Sequence, residues 1–396
     1  MKKAKERKSV AALRDGDTRP MPYLVITDDR IEKINIAKRL IADKPNTYSK
    51  DRIEWIKKQI SELKTPQLAH DFTDEELLYL SVYDYWVYGN TVSEEIYFHF
   101  PYKSHIEKSE YTTYCLRFNL LYQLNDRKLA YLFHDKYETY AMLKDYFFRD
   151  IVKIAGADDF AKFEAFVRKH PIFVVKPLAS SLGRGVRKVD ARDYSGVRSL
   201  FSELTNCEHG AGKENFYDDV SFLLEEVIAQ DKKMESIHPY SLNGVRITTL
   251  RMGDNVRIIY PWFKVGANKS FVTSAAFGTY DAGIDAETGV VNTDGYKENG
   301  EKDAVHPLTG ITFKGFQIPK WEELLHLVKM LALSLPSGIN YVGWDMGLSQ
   351  KGWCIIEGNF AGDFMWQMFR EKGFLKEWIS LTGITARTRF WWEEFK

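Results

Sequence analysis

The chain has 396 residues, and its 55 basic and 55 acidic residues give a formal net charge of zero at pH 7. This length predicts two or three domains at roughly 150 residues each, and the balanced charge gives no support for a nucleic-acid partner. Three widely separated cysteines exclude a disulfide framework and a CxxC metal knuckle. Because the sequence lacks both an 18-residue apolar run and the apolar core of a signal peptide, we expect a cytoplasmic protein without a membrane span.

The first 130 residues have the apolar spacing of helices. Residues 28–42 and 50–63 carry apolar side chains at intervals of three and four. Thr73 and Glu76 have the spacing of a capping box at the start of a third helix, which Gly89 can end. Many aromatic residues follow in this region. At helical spacing such residues usually form a core, which we expect here rather than a sugar-stacking surface.

Further helices are predicted at 135–153, 160–169 and 320–335. From residue 170 onward, short β-branched runs separated by Gly, Asn and Asp predict strands. Tight turns join most of these strands. This arrangement favours an α+β fold with antiparallel pairing over alternating βαβ units.

Two segments have features suited to a nucleotide. HPIFVVKPLASSLGRGVRKVD (170–190) joins a strand ending near Lys176 to a glycine-containing turn. An ammonium can neutralise a phosphate, and glycines let backbone N–H groups approach phosphate oxygens.

SFLLEEVI (221–228) ends a strand in two carboxylates and two apolar residues, whose backbone could bind an adenine edge. An edge strand with solvated glutamates is the alternative for this second segment.

A third segment, NYVGWDMGLSQKGWCIIEGN (340–359), has the donors of a cation site. Asp345 ends one apolar run, and Glu357 and Asn359 end the next. The turn between the runs predicts two antiparallel strands whose ends lie side by side, with Glu357 and Asn359 on one face. Hard oxygen donors of this kind, together with phosphate oxygens, suit Mg²⁺. The sequence therefore predicts a magnesium site, with Mn²⁺ as an alternative ion.

The order of these segments resembles the ATP-grasp superfamily and, more closely, its sugar-transfer-associated family, which is related to glutamate-ligase-like proteins. The resemblance covers roughly residues 75 to 370. The stretches that carry it are LLYLSVYDYWVYG, HDKYETY, VVKPLASSLGRGV, LLEEVI, HPYSLNGVRITTLR, HPLTG and GWDMG with EGN. It implies an ATP-grasp fold, in which two α+β subdomains clasp ATP. We predict a helical N-terminal region at 1–130 and subdomains at 131–228 and 229–396, the last with the metal site.

The resemblance also implies which residues bind ATP. Two lysines would contact the nucleotide, a flexible loop would fold over the phosphates, and a hinge would bind adenine. Either of two acids after the hinge would bind the ribose, and the sequence does not choose between them. The predicted nucleotide-binding residues are Lys136, Lys176, Ser180, Ser181, Gly183, Arg184, Gly185, Glu225, Glu226, Val227, Ile228, Asp231 and Glu235.

Lys176 and Arg246 are the predicted catalytic residues. Arg246 closes the family's SLNGVR stretch, and its guanidinium would grip the transferred phosphoryl group or a developing oxyanion. Arg251 should face the other side of the strand and be structural. In one respect the chain departs from the family pattern. Many ATP-grasp ligases place an arginine two residues before the metal aspartate, where this chain has Gly343, so Arg246 or Arg370 would supply the charge.

The resemblance implies an ATP- and Mg²⁺-dependent carboxylate–amine ligase, which forms an amide through an acyl phosphate and releases ADP and phosphate. Its partners would be ATP, a small carboxylate and an amine, either of which could be linked to a sugar or a peptide. One alternative is a phosphotransferase acting on a sugar or polyol hydroxyl, with Asp363 as the base. The other alternative is a non-catalytic nucleotide-binding module. The intact set of Lys176, Asp345, Glu357 and Asn359 argues against it.

Overall fold

A computed structural model describes residues 21–178, 183, 185–206, 221–271, 273, 278–388 and 390. The chain forms two compact units. The first consists of Met1–Leu124, Tyr296–Lys302 and Asp363–Lys396, and the second of Asn125–Gly295 and Asp303–Gly362.

The helices of the described chain are α1 (Arg30–Asp43), α2 (Lys50–Leu63), α3 (Pro66–Asp71), α4 (Asp74–Tyr88), α5 (Val92–Tyr97), α6 (His105–Lys108), α7 (Tyr114–Leu121), α8 (Tyr131–His134), α9 (Lys136–Leu143), α10 (Phe160–Lys169), α11 (Val197–Asn206), α12 (Lys232–Ile237), α13 (Trp321–Ser334), α14 (Trp366–Arg370) and α15 (Leu375–Thr382). Single-turn 3₁₀ helices lie at Phe100–Tyr102, Arg127–Leu129, Lys144–Tyr146, Ala157–Asp159 and Ala191–Asp193.

The strands are β1 (Ile151–Ile154), β2 (Ile172–Pro177), β3 (Arg187–Asp190), β4 (Phe222–Glu226), β5 (Gly244–Met252), β6 (Asn255–Gly266), β7 (Thr279–Gly283), β8 (Gly295–Tyr296), β9 (Lys302–Asp303), β10 (Tyr341–Ser349) and β11 (Gly352–Asn359).

The first unit is helical, as the sequence predicts, and aromatic residues fill its core. Tyr83, Trp86 and Phe100 are fully buried. The predicted capping box of Thr73 and Glu76 begins α4, and Gly89 ends it in the left-handed conformation at φ 75°. Only glycine adopts this conformation without a steric cost. The expectation of an aromatic core is therefore confirmed.

A four-stranded antiparallel sheet, with the order β1-β4-β2-β3, forms one layer of the second unit. Helices α10 and α11 pack on it because their apolar residues recur at three- and four-residue spacing. Phe163 and Leu200 from these helices, with Phe173 and Leu224 from the sheet, belong to one fully buried cluster. The opposite side of this sheet carries the charged residues described below.

The larger sheet has the order β11-β10-β5-β6-β7-β8-β9. Its first five strands lie wholly in the second unit, and each adjacent pair among them is antiparallel. Helix α13 packs on β5, β6 and β11. Arg251, at the end of β5, is buried and donates hydrogen bonds to the carbonyl oxygens of Ala332, Leu335 and Pro336. Arg251 thus caps the end of α13, the structural role predicted for it.

The α+β class is confirmed, with helices, antiparallel sheets and a helical N-terminal region. The predicted helix at 135–153 is wrong in its second half. There α9 ends at Leu143, and Ile151–Ile154 is strand β1, paired with β4. Ile151 and Ile154 are three residues apart, which fits a helix as well as a strand, and pairing with β4 decides between them. None of the described helices is both long and apolar enough to cross a membrane.

Candidate functional site

Charged side chains form a row across neighbouring strands of the larger sheet. Arg246 on β5 lies opposite Asp345 on β10, and Asp345 lies opposite Glu357 on β11. Directly opposed residues of antiparallel strands have side chains on the same face. Asn359, two residues beyond Glu357, lies opposite Gly343 and shares that face. The strand register therefore places the three predicted metal ligands and Arg246 on one face.

Arg246 and Asp345 form the central ion pair of this row. Nε of Arg246 donates to Oδ1 of Asp345 at 2.6 Å, and Nη2 donates to Oδ2 at 3.0 Å. The ammonium of Lys264, on β6, lies 3.5 Å from the same Oδ1. Burial raises the pKa of Asp345, but the charges of Arg246 and Lys264 outweigh burial and lower this pKa to about 2. The Asp345 carboxylate is therefore ionised at neutral pH.

The Arg246 guanidinium occupies the space above Gly343. A Cβ added to Gly343 would lie 3.5 Å from Nη1 of Arg246 and 3.3 Å from Cα of Gly362. An arginine at position 343 would therefore compete with Arg246 for this space. Arg370, the other predicted source of positive charge, lies in the first unit and forms an ion pair with Glu377 at 3.1 Å. Of these two arginines, Arg246 is the one in the row.

Lys136 brings a third cation to the row, after Arg246 and Lys264. It is the first residue of α9, and the Asp135 side chain caps that helix. Its ammonium lies 3.2 Å from Oε1 of Glu357. Asn359 donates from Nδ2 to the Gly343 carbonyl at 3.2 Å, and within the described residues its Oδ1 accepts no hydrogen bond. Glu357 and Asn359 therefore retain oxygen lone pairs that a hard cation can use.

A buried ion-pair cluster lies on the smaller sheet. Lys176 donates to Oε2 of Glu225 at 2.8 Å, and Nε of Arg149 donates to the same oxygen at 2.9 Å. Burial raises the pKa of Glu225, but the charges of Arg149 and Lys176 lower it to about 2. Burial also lowers the pKa of Lys176, an effect that Glu225 opposes. Arg149 donates from Nη1 to the Ile355 carbonyl on β11 at 2.7 Å.

The predicted adenine hinge, residues 225–228, begins in the last two residues of β4 and continues beyond that strand. Glu226 accepts a hydrogen bond from the Asp150 backbone and forms an ion pair with Lys351 at 3.5 Å. Val227 and Ile228 continue the chain outside any strand. Within the described part of the chain, their backbone groups make no hydrogen bond, so they can pair with a ligand.

The two candidate ribose acids differ in their contacts. The Asp231 carboxylate caps α12 by accepting hydrogen bonds from the backbone of Lys233 and Met234. Glu235 lies in the first turn of that helix and is exposed. The Asp231 carboxylate is engaged in capping the helix, whereas the Glu235 carboxylate is available to a ligand. Which of the two acids binds the ribose remains a prediction.

The predicted phosphate loop is described only at Gly183 and Gly185. Their φ angles are 69° and 74°, in the left-handed region that favours glycine. The Val186 N–H donates to the Gly183 carbonyl at 3.2 Å, which closes a turn. The remaining predicted loop residues lie outside the described residues: Ser180, Ser181 and Arg184.

Two cations of the site were missed from the sequence. Lys264 interrupts the apolar run of β6, a signal that could have marked it. Arg149 precedes β1 and is buried, and no local pattern distinguishes it from other arginines. The two clusters together hold five cations (Lys136, Arg149, Lys176, Arg246 and Lys264) and three carboxylates (Glu225, Asp345 and Glu357). The excess of two positive charges suits a polyanion.

One other group of acidic and imidazole side chains has the spacing of a cation site. Asp150, His170 and Glu226 each offer a ligand atom, and these atoms lie within 4.8 Å of one another. The His170 ring and the Lys169 ammonium both contact Oδ2 of Asp150, at 2.7 and 2.5 Å. The ammonium groups of Lys169 and Lys351 pair with the Asp150 and Glu226 carboxylates, so the group is an ion-pair cluster.

The family model described as sugar-transfer associated ATP-grasp matches residues 116–382, more than half of the chain. The protein belongs to this family. The ATP-grasp fold follows from this membership, and both charged clusters lie within the matched residues. The resemblance inferred from the sequence motifs is thereby confirmed.

Solved structures of ATP-grasp ligases resemble the chain at low identity. PsnB, solved with a minimal precursor, is 14% identical, with a TM-score of 0.36 over 63% of this chain and 58% of its own. Phosphoribosylamine–glycine ligase from Thermotoga maritima is 13% identical, with a TM-score of 0.37 over 59% of this chain and 49% of its own. D-Alanine–D-alanine ligase from Helicobacter pylori is 14% identical, with a TM-score of 0.35 over 58% and 55%. No curated protein matches the chain.

Proposed function

We propose that this ATP-grasp protein is an ATP- and Mg²⁺-dependent carboxylate–amine ligase. The observation that carries the proposal is the row of Arg246, Asp345 and Glu357 on one face of the sheet. It combines a preformed guanidinium with carboxylates suited to a metal ion. Phosphoryl transfer to a carboxylate needs this combination, because negative charge builds up on both reacting groups.

The nucleotide would span the two charged clusters. Lys176 and Lys136 would neutralise phosphate oxygens, and the free backbone groups of Val227 and Ile228 would bind adenine. Lys176 is held against the buried Glu225, so its ammonium is fixed in position before ATP binds. Such preorganisation lowers the entropy cost of binding.

The donor set of the row fits a magnesium ion. Glu357 and Asn359 have oxygen lone pairs available, and Asp345, whose oxygens also bind Arg246, would be the third ligand. Mg²⁺ takes one or two carboxylates together with phosphate oxygens and water. When bound, Mg²⁺ would neutralise part of the negative charge of the phosphates during transfer of the γ-phosphoryl group.

The reaction would run in two steps. A carboxylate oxygen of the substrate attacks the γ-phosphorus, the bond to the β-phosphate oxygen breaks, and ADP leaves. An amine then attacks the carbonyl carbon of the acyl phosphate, the bond to phosphate breaks, and the nitrogen loses a proton. Arg246 would stabilise the oxyanion of this second step. Since a carboxylate is already ionised at neutral pH, the first step needs no general base.

Hydroxylamine trapping tests the proposal. The protein is incubated with MgATP, a pool of small carboxylates and hydroxylamine, which captures acyl phosphates as hydroxamates. We expect hydroxamate and ADP in equal amounts. ADP with a phosphorylated sugar and without hydroxamate would instead favour the phosphotransferase. Absence of ATP turnover across carboxylates and sugars would overturn both enzymatic functions.

A further inference from the structure

An open cavity of about 300 Å³ is lined entirely by residues of the first unit. It lies at the start of α1, beside α4 and the loop that leads into α6. Its volume is at the lower end of the range of small-molecule sites, about 300–1,000 Å³. Of its described lining residues, four are basic (Arg30, Lys33, Lys103 and Lys108) and one is acidic (Asp28).

Two of the four basic residues already have close counterions. Lys108 donates to Oδ2 of the buried Asp84 at 2.5 Å. Arg30, at the rim, lies 2.7 Å from the Glu76 carboxylate. Lys33 has only a longer ion pair, with Asp28 at 3.8 Å, and Lys103 has none within the described residues.

Lys33 is the decisive residue, because it is buried and its ammonium makes no hydrogen bond within the described chain. Its side chain is only 7% exposed, and Oδ1 of Asp28 is 3.8 Å from Nζ, too far for a hydrogen bond. The same oxygen accepts a hydrogen bond from the His105 backbone at 2.6 Å. Burial and the charge of Lys108 lower the pKa of Lys33, an effect that the charges of Asp84, Asp28 and Glu95 oppose. An ammonium has three donors, and leaving them unused in a buried site is costly.

An aromatic wall completes the cavity. Tyr102 lines it, and its hydroxyl donates to Oδ2 of Asp71 at 2.8 Å. Its ring packs edge-on against Phe72 with a centroid distance of 5.3 Å. The ring is therefore held in place while 46% of the residue stays exposed. Such a ring offers apolar surface next to the cationic end of the cavity.

We propose that this cavity binds a small organic anion, whose phosphate or carboxylate group accepts hydrogen bonds from Lys33 and whose carbon skeleton packs on Tyr102. Lys103 adds a second positive charge. An oxyanion would satisfy the donors of Lys33, which the described protein groups leave unused. The inference is independent of the proposed ligase activity, because none of the lining residues is assigned to ATP or to the metal.

Isothermal titration calorimetry on the full chain tests this inference, without nucleotide and at an ionic strength matched with sodium chloride. The probes are inorganic phosphate, glucose 6-phosphate and glucuronate, which separate phosphate from carboxylate recognition. We expect saturable binding of at least one probe. Lys33→Met should weaken it about ten-fold or more, because a charge-assisted hydrogen bond is lost. Lys38→Met, on the exposed side of the same helix, should leave binding unchanged.

Two results would overturn the inference: no saturable binding of any probe, or equal binding by the wild type and Lys33→Met. Should Lys33→Met not fold, Lys103→Met provides the test, because Lys103 is only half-buried. This variant should weaken binding at least about three-fold through the loss of one charge near the anion. Unchanged binding in Lys103→Met would then count against the site.

Discussion

Arg246 and Asp345 are joined by two hydrogen bonds of 2.6 and 3.0 Å across adjacent strands. This planar, bidentate geometry is available to a guanidinium but not to an ammonium. The ion pair fixes both groups before any substrate binds. It also fixes the direction in which the remaining N–H groups of Arg246 can point.

Arg246→Lys should lower kcat by about 100-fold with little change in the KM for ATP, because one oxyanion donor is lost or displaced. ADP release in a coupled assay measures this effect. Arg257→Lys, at an exposed position of β6, is the control and should keep full activity. A kcat within three-fold of the wild type would remove Arg246 from the mechanism.

Glu357→Gln should reduce ATP turnover by at least about 100-fold, since a metal ligand contributes several kcal/mol of charge stabilisation. Turnover measured against magnesium concentration should also show a higher half-saturation point. Glu323→Gln, on the exposed side of α13, should change neither quantity. An unchanged magnesium dependence in Glu357→Gln would contradict the metal assignment.

Arg149→Met should lower the free energy of unfolding by about 3 kcal/mol, because Glu225 would stay buried with one of its two cations removed. Urea denaturation measures the change. Glu225→Gln should cost less stability in the Arg149→Met background than in the wild type, since it then leaves only Lys176, and not two cations, without a counterion. If the two substitutions are simply additive, the ion pair does not contribute as described.

Gly343→Ala should lower activity by about ten-fold, because the tight contact of the new Cβ with Gly362 needs a small shift, which would disturb the Arg246 guanidinium that touches this Cβ. We expect a stability loss of only about 1 kcal/mol, since the contact at 3.3 Å needs a small shift. Gly156→Ala is the matched control, because its backbone is extended and a Cβ there would meet no atom within 4 Å. Equal activity of both variants would show that Arg246 tolerates displacement.

Stability should fall in mild acid because of two buried histidines. Nδ1 of His238 lies 2.8 Å from the Ser241 hydroxyl, and its ring centroid lies 5.3 Å from that of His306. Burial lowers the pKa of both imidazoles, and the neighbouring His306 lowers that of His238 further. The unfolded chain therefore binds more protons than the folded one below about pH 6.5. Stability should be full above that pH and decrease as the pH falls below it.

Urea denaturation from about pH 8 to about pH 5 measures this decrease. His238→Gln should reduce the slope of stability against pH. His326→Gln, at an exposed position on α13, should keep it. If both variants keep the wild-type slope, other groups cause the acid sensitivity.

The sequence predicted most of the strands and the metal-site candidates because short β-branched runs, and the charged residues that end them, are visible locally. The hairpin of β10 and β11 is an example, since its turn determines which residues face each other. The segment at 151–154 was misread because four residues do not distinguish a helix from a strand without the pairing partner. The ion pair of Arg246 with Asp345 joins residues 99 positions apart, so no local pattern reveals it.

Arg149 holds Glu225 on one sheet and the Ile355 carbonyl on the other with a single rigid guanidinium. Any sliding of the two sheets past each other must stretch one of these bonds. The predicted adenine hinge at the end of β4 and strand β11, which carries Glu357, are therefore joined by this side chain. A displacement of the segment that follows β4 would therefore pull on β11 through this arginine.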